Sequence, residues 1–409
     1  MSEPIRLLHF ADIHIGIENY GHIDSATGVN SRVLDFLRRV DEVIDYGLAR
    51  DVDVVIFAGD AFKTRDPSPT LQREFARRVK RVVDAGVPII LLVGNHDLPA
   101  MEKKASSIDI YRTLAVPNVV VGWEEALHRV ETKRGPIQIA TAPYPMRNRL
   151  MSLDEHRGKP VDELDRALQE IVGDNVRALA EQLDPALPAV LTAHFTVSGA
   201  TYGSERSVML GRDVAVLKSV LADARWDYVA LGHIHKHQSL QPKGDYPAIV
   251  YSGSLERVDF GEEKEAKGFC WVEVTRGQTT WQFVEVKARP FKTIVVDVRE
   301  ADDVTMATQA ELAQHDVTGA IVRVIVRMRP EQEASLRERD VRAVLKAASY
   351  VAAIQKDVER VERARLGGHS PEGMTPMELL ERYLRSKDMD EERIRVVLEH
   401  ARGIIERDA

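Results

Sequence analysis

Between residues 7 and 231, five runs are apolar at nearly every position rather than at alternate ones. They are LLHFA (7–11), DVVIFA (53–58), PIILLV (88–93), AVLTA (189–193) and DYVAL (227–231). Continuous apolarity over so few residues predicts strands buried on both faces, inside covered sheets. Helical spacing fills the gaps. Residues 31–50 carry a helical pattern, and in LQREFARRVKRVVDAG the positions Leu71, Phe75, Val79 and Val82 recur every three or four residues before Gly86 closes the helix. IQIATAPY reads as a further strand, residues 162–183 as one long helix ahead of Pro185, and AIVYSGS, GFCWVEVT and TWQFVEV as strands. This order predicts an α/β (α+β) core over residues 1–287, two sheets packed between helices.

After Arg289-Pro290 the pattern restarts. FKTIVVDV, a helix near 301–314, AIVRVIVRM, a helix near 338–348 and YVAAIQKDV spell β-α-β-α-β, a small α+β domain over residues 288–362. Gly367-Gly368-His369-Ser370-Pro371-Glu372-Gly373 has the composition of a linker, placed at 363–373. Residues 374–409 read as two short helices. Thr375 with Glu378 makes a capping box, Pro376 takes the first helical position, and Met374 faces Leu379 as a staple. The second helix carries an apolar stripe of Ile394, Val397, Leu398, Ala401, Ile404 and Ile405.

Each of the five apolar runs ends directly on a metal-binding side chain. The segments are Asp12-Ile13-His14, Gly59-Asp60, Gly94-Asn95-His96-Asp97, Ala193-His194 and Gly232-His233-Ile234-His235. Strands lying side by side bring these ends to one sheet edge, where ligands of open α/β sheets gather. Asp12, His14, Asp60, Asn95, His194, His233 and His235 are too many donors for one ion and suit two. Two neighbouring divalent ions are the usual machinery for in-line attack of water on a phosphoester. A carboxylate bridging two ions must offer two oxygens and be ionised, and Asp60 on its glycine turn is the candidate. Mixed carboxylate, imidazole and amide ligands without thiolate favour manganese or iron, with zinc possible.

Composition changes this picture little. The 409 residues carry a net charge of −8, so any nucleic-acid binding must come from a local basic surface. The single Cys270 cannot close an internal disulfide, which fits a reducing cytoplasmic setting. MSEPIRLLHF has no apolar leader, and no stretch of ~18 apolar residues is present, so neither signal peptide nor membrane span is expected.

The five blocks in order, D-x-H, G-D, G-N-H-D, H and G-H-x-H, resemble the calcineurin-like metallophosphoesterase superfamily. The resemblance implies a four-layer αββα metallophosphoesterase sandwich with a small α+β capping domain and a C-terminal helical pair. It puts Asp12, His14 and His235 with Asp60 on one ion, and Asn95, His194 and His233 with Asp60 on the other. It assigns His96 to the scissile phosphate, where an imidazolium stabilises charge or protonates the leaving oxygen. Asp97 then reads either as the partner that fixes the His96 tautomer or as a cap on the turn before Leu98-Pro99.

ADIHIG near the start, AHFTVSGATYGSE around His194 and YSGSLERVDFGEEKEAKGF at 251–269 look like the SbcD-type DNA repair nucleases. That resemblance implies a manganese-dependent exonuclease and single-strand or hairpin endonuclease, with iron, magnesium or zinc as substitute ions. DNA ends, hairpins and single-strand junctions are the implied substrates. Lys63 stands where many members of the family have a histidine associated with exonuclease action; it reads as a phosphate contact or as a solvated loop lysine. Lys63, Arg65, Lys103, Lys104, Arg147, Arg149 and Arg206 lie in loops after strands and are the candidate DNA-backbone contacts. The helical pair implies docking to the coiled coil of an SbcC-type ABC ATPase through Leu380, Tyr383, Ile394, Val397, Leu398, Ala401 and Ile405, or else folding back on its own domain. A homodimer through helices at 70–85 and 105–115 is implied too, with Leu71, Phe75, Ile108 and Tyr111 as contacts or as core. The blocks alone also fit a phosphatase or phosphodiesterase acting on small substrates. A non-catalytic scaffold bridging DNA ends is the third reading.

Overall fold

The computed structural model describes residues 3–99, 104–146, 159–203, 213–241, 245–359, 375–385, 387 and 389–405. The chain divides into two compact units, Met1–Ile294 with Leu312–Val324 and Arg342–Ile354, and Val295–Glu311 with Ile325–Val341 and Gln355–Ala409.

The first unit opens with β1 (Ile5–Phe10), α1 (Ser31–Ala49), β2 (Val54–Phe57), α2 (Pro69–Asp84), β3 (Ile89–Leu92), a one-turn helix Ile110–Thr113 and β4 (Val119–Gly122). A hairpin of β5 (Ala126–Thr132) and β6 (Gly135–Ala142) precedes the long helix Val161–Glu181. Next come β7 (Ala189–His194), β8 (Thr196–Val197), β9 (Ala215–Val216), β10 (Tyr228–Gly232), β11 (Gln238–Ser239) and β12 (Ala248–Tyr251). A second hairpin, β13 (Gly268–Thr275) with β14 (Gln278–Glu285), completes the strands of the core.

These strands make two six-stranded sheets, ordered β14-β13-β1-β2-β3-β4 and β11-β12-β10-β7-β6-β5, while β8 and β9 pair separately. β1, β2 and β3 run parallel, as do β6, β7, β10 and β12. Leu8 and Phe10 pack outward with Val33, Leu37 and Val40 of α1 and Phe75 and Val79 of α2. Ile5 and Leu7 of the same strand point the other way, into the layer shared with Ile139, Val190, Ala230 and Val250 of the second sheet. Beyond that sheet, Leu191 and Leu231 pack with Val172 and Val176 of the long helix. The order is therefore helix, sheet, sheet, helix, and the alternation along β1 explains why LLHFA is apolar on both faces. His9 is the polar exception between the sheets. Its ring meets the Tyr228 hydroxyl at 3.1 Å and the Leu231 carbonyl at 3.2 Å, and burial holds it neutral by lowering its pKa to about 3.

β4 and β5 were not evident from periodicity. Both are sheet-edge strands, and ALHRVET in β5 is mostly half-exposed, so it lacks the apolar run that marks the inner strands. The dimer contacts suggested by sequence need correction. Phe75, Ile108 and Tyr111 are buried in the core of their own chain, and Leu71 packs at its margin. The exposed apolar residues of that region are Ile110 and Leu114.

β15 (Phe291–Asp297), β16 (Ile321–Met328) and β17 (Tyr350–Val358) form a three-stranded sheet in that order, with helices Val304–Leu312 and Glu338–Val344 between them. The tail holds two helices, Pro376–Arg385 and Glu391–Ile405. The first begins with the expected capping box: the Thr375 amide donates to Glu378 Oε2 at 2.7 Å, and the Glu378 amide to Thr375 Oγ1 at 3.3 Å. Met374 and the Gly367–Gly373 linker lie outside the described residues. No helix among the described residues is long and apolar enough to cross a membrane.

Candidate metal centre

All seven expected ligands follow β1, β2, β3, β7 and β10, the parallel strands at the centre of the two sheets. Main-chain bonds lace their loops together. The amides of Asp12, Ile13, His14 and Ile15 donate to the carbonyls of Gly59, Asp60, Asp60 and Ala61. The sharp turns at the strand ends force unusual backbone. Asp12, His14, Asp60 and His233 have φ of 53°, 49°, 62° and 96°, a region that non-glycine residues seldom enter and that costs roughly 1–3 kcal/mol each. The motif glycines have a packing reason. A Cβ on Gly94 would lie 2.1 Å from Asp60 Oδ1, and one on Gly59 2.3 Å from His194 Nδ1.

Asp97 braces this backbone. Its buried carboxylate accepts the amides of Asp60 (2.9 Å), Ala61 (3.0 Å) and Gly94 (3.1 Å), tying the second loop to the third. Burial and the neighbouring Asp60 charge push its pKa up to about 7. The expectation that Asp97 orients His96 is thereby corrected. The His96 Nδ1–H donates instead to the Lys63 carbonyl at 2.7 Å, because the Asp97 carboxylate is taken up by the Asp60, Ala61 and Gly94 amides. Lys63 thus touches the site through its main chain, while its side chain is exposed.

The three ligand histidines of the second sheet are each oriented by an acceptor. His194 Nδ1–H donates to the Ala58 carbonyl (2.6 Å), His233 Nε2–H to Asp213 Oδ2 (2.9 Å) and His235 Nδ1–H to Glu262 Oε1 (2.8 Å). In each ring the other nitrogen therefore presents a lone pair to the centre. His194 Nε2 and His233 Nδ1 lie 3.1 and 3.0 Å from Asn95 Oδ1, itself an acceptor. His194 Nε2 is 3.3 Å from Asp60 Oδ2, and His235 Nε2 is 2.9 Å from His14 Nε2. Lone pairs and carboxylate oxygens converging in a buried pocket repel one another unless a proton or a metal cation lies among them, and this donor set fits divalent ions. Asp12, His14 and His235 offer donor atoms within 4.8 Å of one another, as do Asp12, Asp60 and His194.

Asp60 joins the two groups in a way the sequence did not suggest. Its Oδ1 accepts the His96 amide at 2.8 Å, leaving Oδ2 between His194 (3.3 Å) and His14 (3.8 Å). One oxygen, rather than one for each ion, faces both groups. Burial opposes ionisation of Asp60, yet the charges of His194, His96 and His14 hold its carboxyl far below the usual range. Burial alone would lower His194, but the Asp60 carboxylate raises it to about 9. Asp12 both receives and gives structure: its two oxygens accept the His233 amide at 3.0 Å.

The orienting carboxylates Asp213 and Glu262 were missed in the sequence. Glu262 lies within YSGSLERVDFGEEKEAKGF, a block already singled out, whereas GRDVAV around Asp213 offered no signal. Of the basic candidates, Lys63, Arg65 and Lys104 are exposed, and Lys103, Arg147, Arg149 and Arg206 lie outside the described residues. In the tail, Tyr383 is 48 % exposed and Leu380, Val397, Leu398 and Ala401 are half-buried. Ile394 is only 2 % exposed, so it is removed from the set of available anchors. The Ile405 side chain lies outside the described set.

A shared-carboxylate donor set at the strand ends of a two-sheet sandwich defines a metal-dependent phosphoester hydrolase. Residues 5–237 match the calcineurin-like phosphoesterase family model, and the chain belongs to that family. It is similar to the SbcD component of the nuclease SbcCD of Bacillus subtilis (strain 168), with 28 % identity over 291 residues, 68 % of this chain and 69 % of that protein. It is also similar to the DNA double-strand break repair protein Mre11 of Haloferax volcanii, with 25 % identity over 331 residues, 80 % of this chain and 62 % of that protein. Among solved structures, a Thermus thermophilus protein aligns over 68 % of this chain and 99 % of its own, at 12 % identity and a TM-score of 0.38. A dimetal phosphatase from Danio rerio aligns over 69 % and 96 %, at 9 % identity and a TM-score of 0.39.

Proposed function

We propose that the protein is a manganese-dependent DNA nuclease with both exonuclease and endonuclease action, the catalytic partner of a coiled-coil ABC ATPase. The observation that carries the hydrolase reading is the ring of histidine lone pairs and carboxylate oxygens facing one another, with His96 beside it. The narrower reading leans on likeness to two DNA-processing proteins over 291 and 331 residues, longer than the 5–237 segment matched by the family as a whole. Donors of carboxylate, imidazole and amide type, without thiolate, favour manganese or iron, with zinc possible, and manganese is adopted from the family resemblance.

Asp12, His14, His235 and Asp60 would hold one ion, and Asn95, His194, His233 and Asp60 the other. When bound, the pair supplies Lewis-acid charge against phosphoryl oxygens and an activated water. The chain's own groups do the rest. Asp97 and the laced main chain keep the loops from relaxing, and the acceptors behind His194, His233 and His235 keep their lone pairs directed inward. His96, with Nδ1–H given to the Lys63 carbonyl, keeps Nε2 for the substrate. Protonated, that nitrogen donates to a phosphate oxygen or passes its proton to the leaving oxygen.

DNA would meet the exposed side chains of Lys63, Arg65 and Lys104. The ATPase would meet the tail through Tyr383, Val397, Leu398 and Ala401, and a second copy would pack near Ile110 and Leu114. Manganese-dependent cleavage of a labelled hairpin-ended duplex, wild type beside Asp60→Ala, tests the reading. Cleavage by the wild type alone is expected. Turnover of a small phosphodiester with none of DNA, even with the ATPase added, would instead make the protein a small-molecule phosphodiesterase.

A further inference from the structure

Lys267 is a buried lysine with no part in the chemistry described so far. It stands one residue before β13, and its ammonium contacts Glu262 Oε2 and Glu265 Oε2 at 2.9 Å and, more distantly, the His235 carbonyl at 3.3 Å. Lysine is rarely fully buried, and only pairing makes its burial tolerable. Here the paired carboxylate has a second task. While Oε2 of Glu262 holds Lys267 and the Val258 amide, Oε1 accepts the His235 ring proton.

Among the described residues, no cation stands behind the other two imidazoles of the second sheet. Asp213, behind His233, is held by the Thr196 hydroxyl and the Val214 amide. His194 leans on a main-chain carbonyl. Among the described residues, His235 is the one of the three backed by a carboxylate that a buried positive charge fixes in place. A lysine–carboxylate–imidazole chain resists rotation at each link, so the direction of the His235 ring depends on Lys267 through Glu262, beside the longer contact of the ammonium with the His235 carbonyl.

We propose that Lys267 is a positioning residue which, through Glu262, sets ion affinity at the position formed by Asp12, His14 and His235 and leaves the other position untouched. The proposal rests on the two-ion reading of the centre. Titration of full-length protein with manganese alone, followed by calorimetry, tests it in wild type, Lys267→Met, Glu262→Gln and the charge-neutral double variant. Melting of each metal-free protein is recorded alongside.

The wild type should bind in two events. Lys267→Met should weaken one of them by about 10–100-fold, the usual cost of losing an outer partner of a metal ligand, and leave the other in place. The double variant should bind no more weakly than Glu262→Gln alone, because Lys267 acts through that carboxylate. Should Lys267→Met fail to fold, the pair of Glu262→Gln and the double variant decides by the same criterion. Two wild-type events that Lys267→Met leaves unchanged, or weakens together, would overturn the proposal, as would a double variant markedly weaker than Glu262→Gln. A wild type binding a single ion would defeat the two-ion reading itself, a separate outcome.

Discussion

The two sheets contribute different things to one centre. Loops after β1, β2 and β3 of the first sheet bring both carboxylates, the amide, His14 and His96, and three of the four strained ligand residues. Their side chains are anchored by main-chain amides: Asp60 by His96, and Asp97 by three amides in its own neighbourhood. Loops after β7 and β10 of the second sheet bring imidazoles alone, and each is anchored by an acceptor. The first sheet therefore supplies negative charge on a rigid backbone; the second supplies lone pairs whose direction is set from outside the motifs. The Asp12 carboxylate, accepting the His233 amide, and the Ala58 carbonyl, accepting the His194 ring proton, tie the two together.

Damage to the first sheet should be the more severe. Gly94→Ala puts a methyl group 2.1 Å from Asp60 Oδ1 and 2.5 Å from its amide nitrogen, where the laced backbone has nowhere to go. The expected outcome is loss of both ions in calorimetry, with metal-free stability lower by about 1–3 kcal/mol from overpacking. His96→Ala ranks next: ion binding stays, and cleavage falls by about 10²–10⁴-fold, the usual worth of a positioned acid or base. Undiminished turnover would remove His96 from the mechanism. On the second sheet, Asp213→Asn should weaken binding by about 10–100-fold while the fold melts nearly as before. If Asp213→Asn proved as damaging as Gly94→Ala, the division of labour between the sheets would be wrong. Smallest of all should be removal of residues 374–409, which leaves manganese-dependent cleavage intact and abolishes co-purification with the ATPase.

The ligands of both sheets are the part that sequence displays, His194, His233 and His235 included. Asp12, His14, Asp60, Asn95 and His96 each follow an apolar run within a few residues, because a strand end and its turn are local in the chain. Asp213 and Glu262 are 20 and 27 residues from the histidines they orient. Nothing local marks such a partner, and only folding brings it near. Adjacency misled for Asp97, whose side chain turns back onto three amides instead of toward its neighbour. Amphipathic spacing misled in a similar way. It correctly marks Phe75 and Ile394 as facing something apolar, but the stripe is the same whether that surface belongs to the same chain or to a partner. β5 escaped because a half-exposed edge strand lacks the apolar run of the inner ones; β4 escaped although its three valines form a short run.

The central proposal is that Asp60 would be shared by two ions, the remaining ligands divided as Asp12, His14 and His235 against Asn95, His194 and His233. Anomalous diffraction from crystals grown with manganese tests it directly. The account predicts two manganese peaks flanking the Asp60 carboxylate, each reached by its own three further ligands. A single peak, or a pair that Asp60 does not bridge, would contradict it.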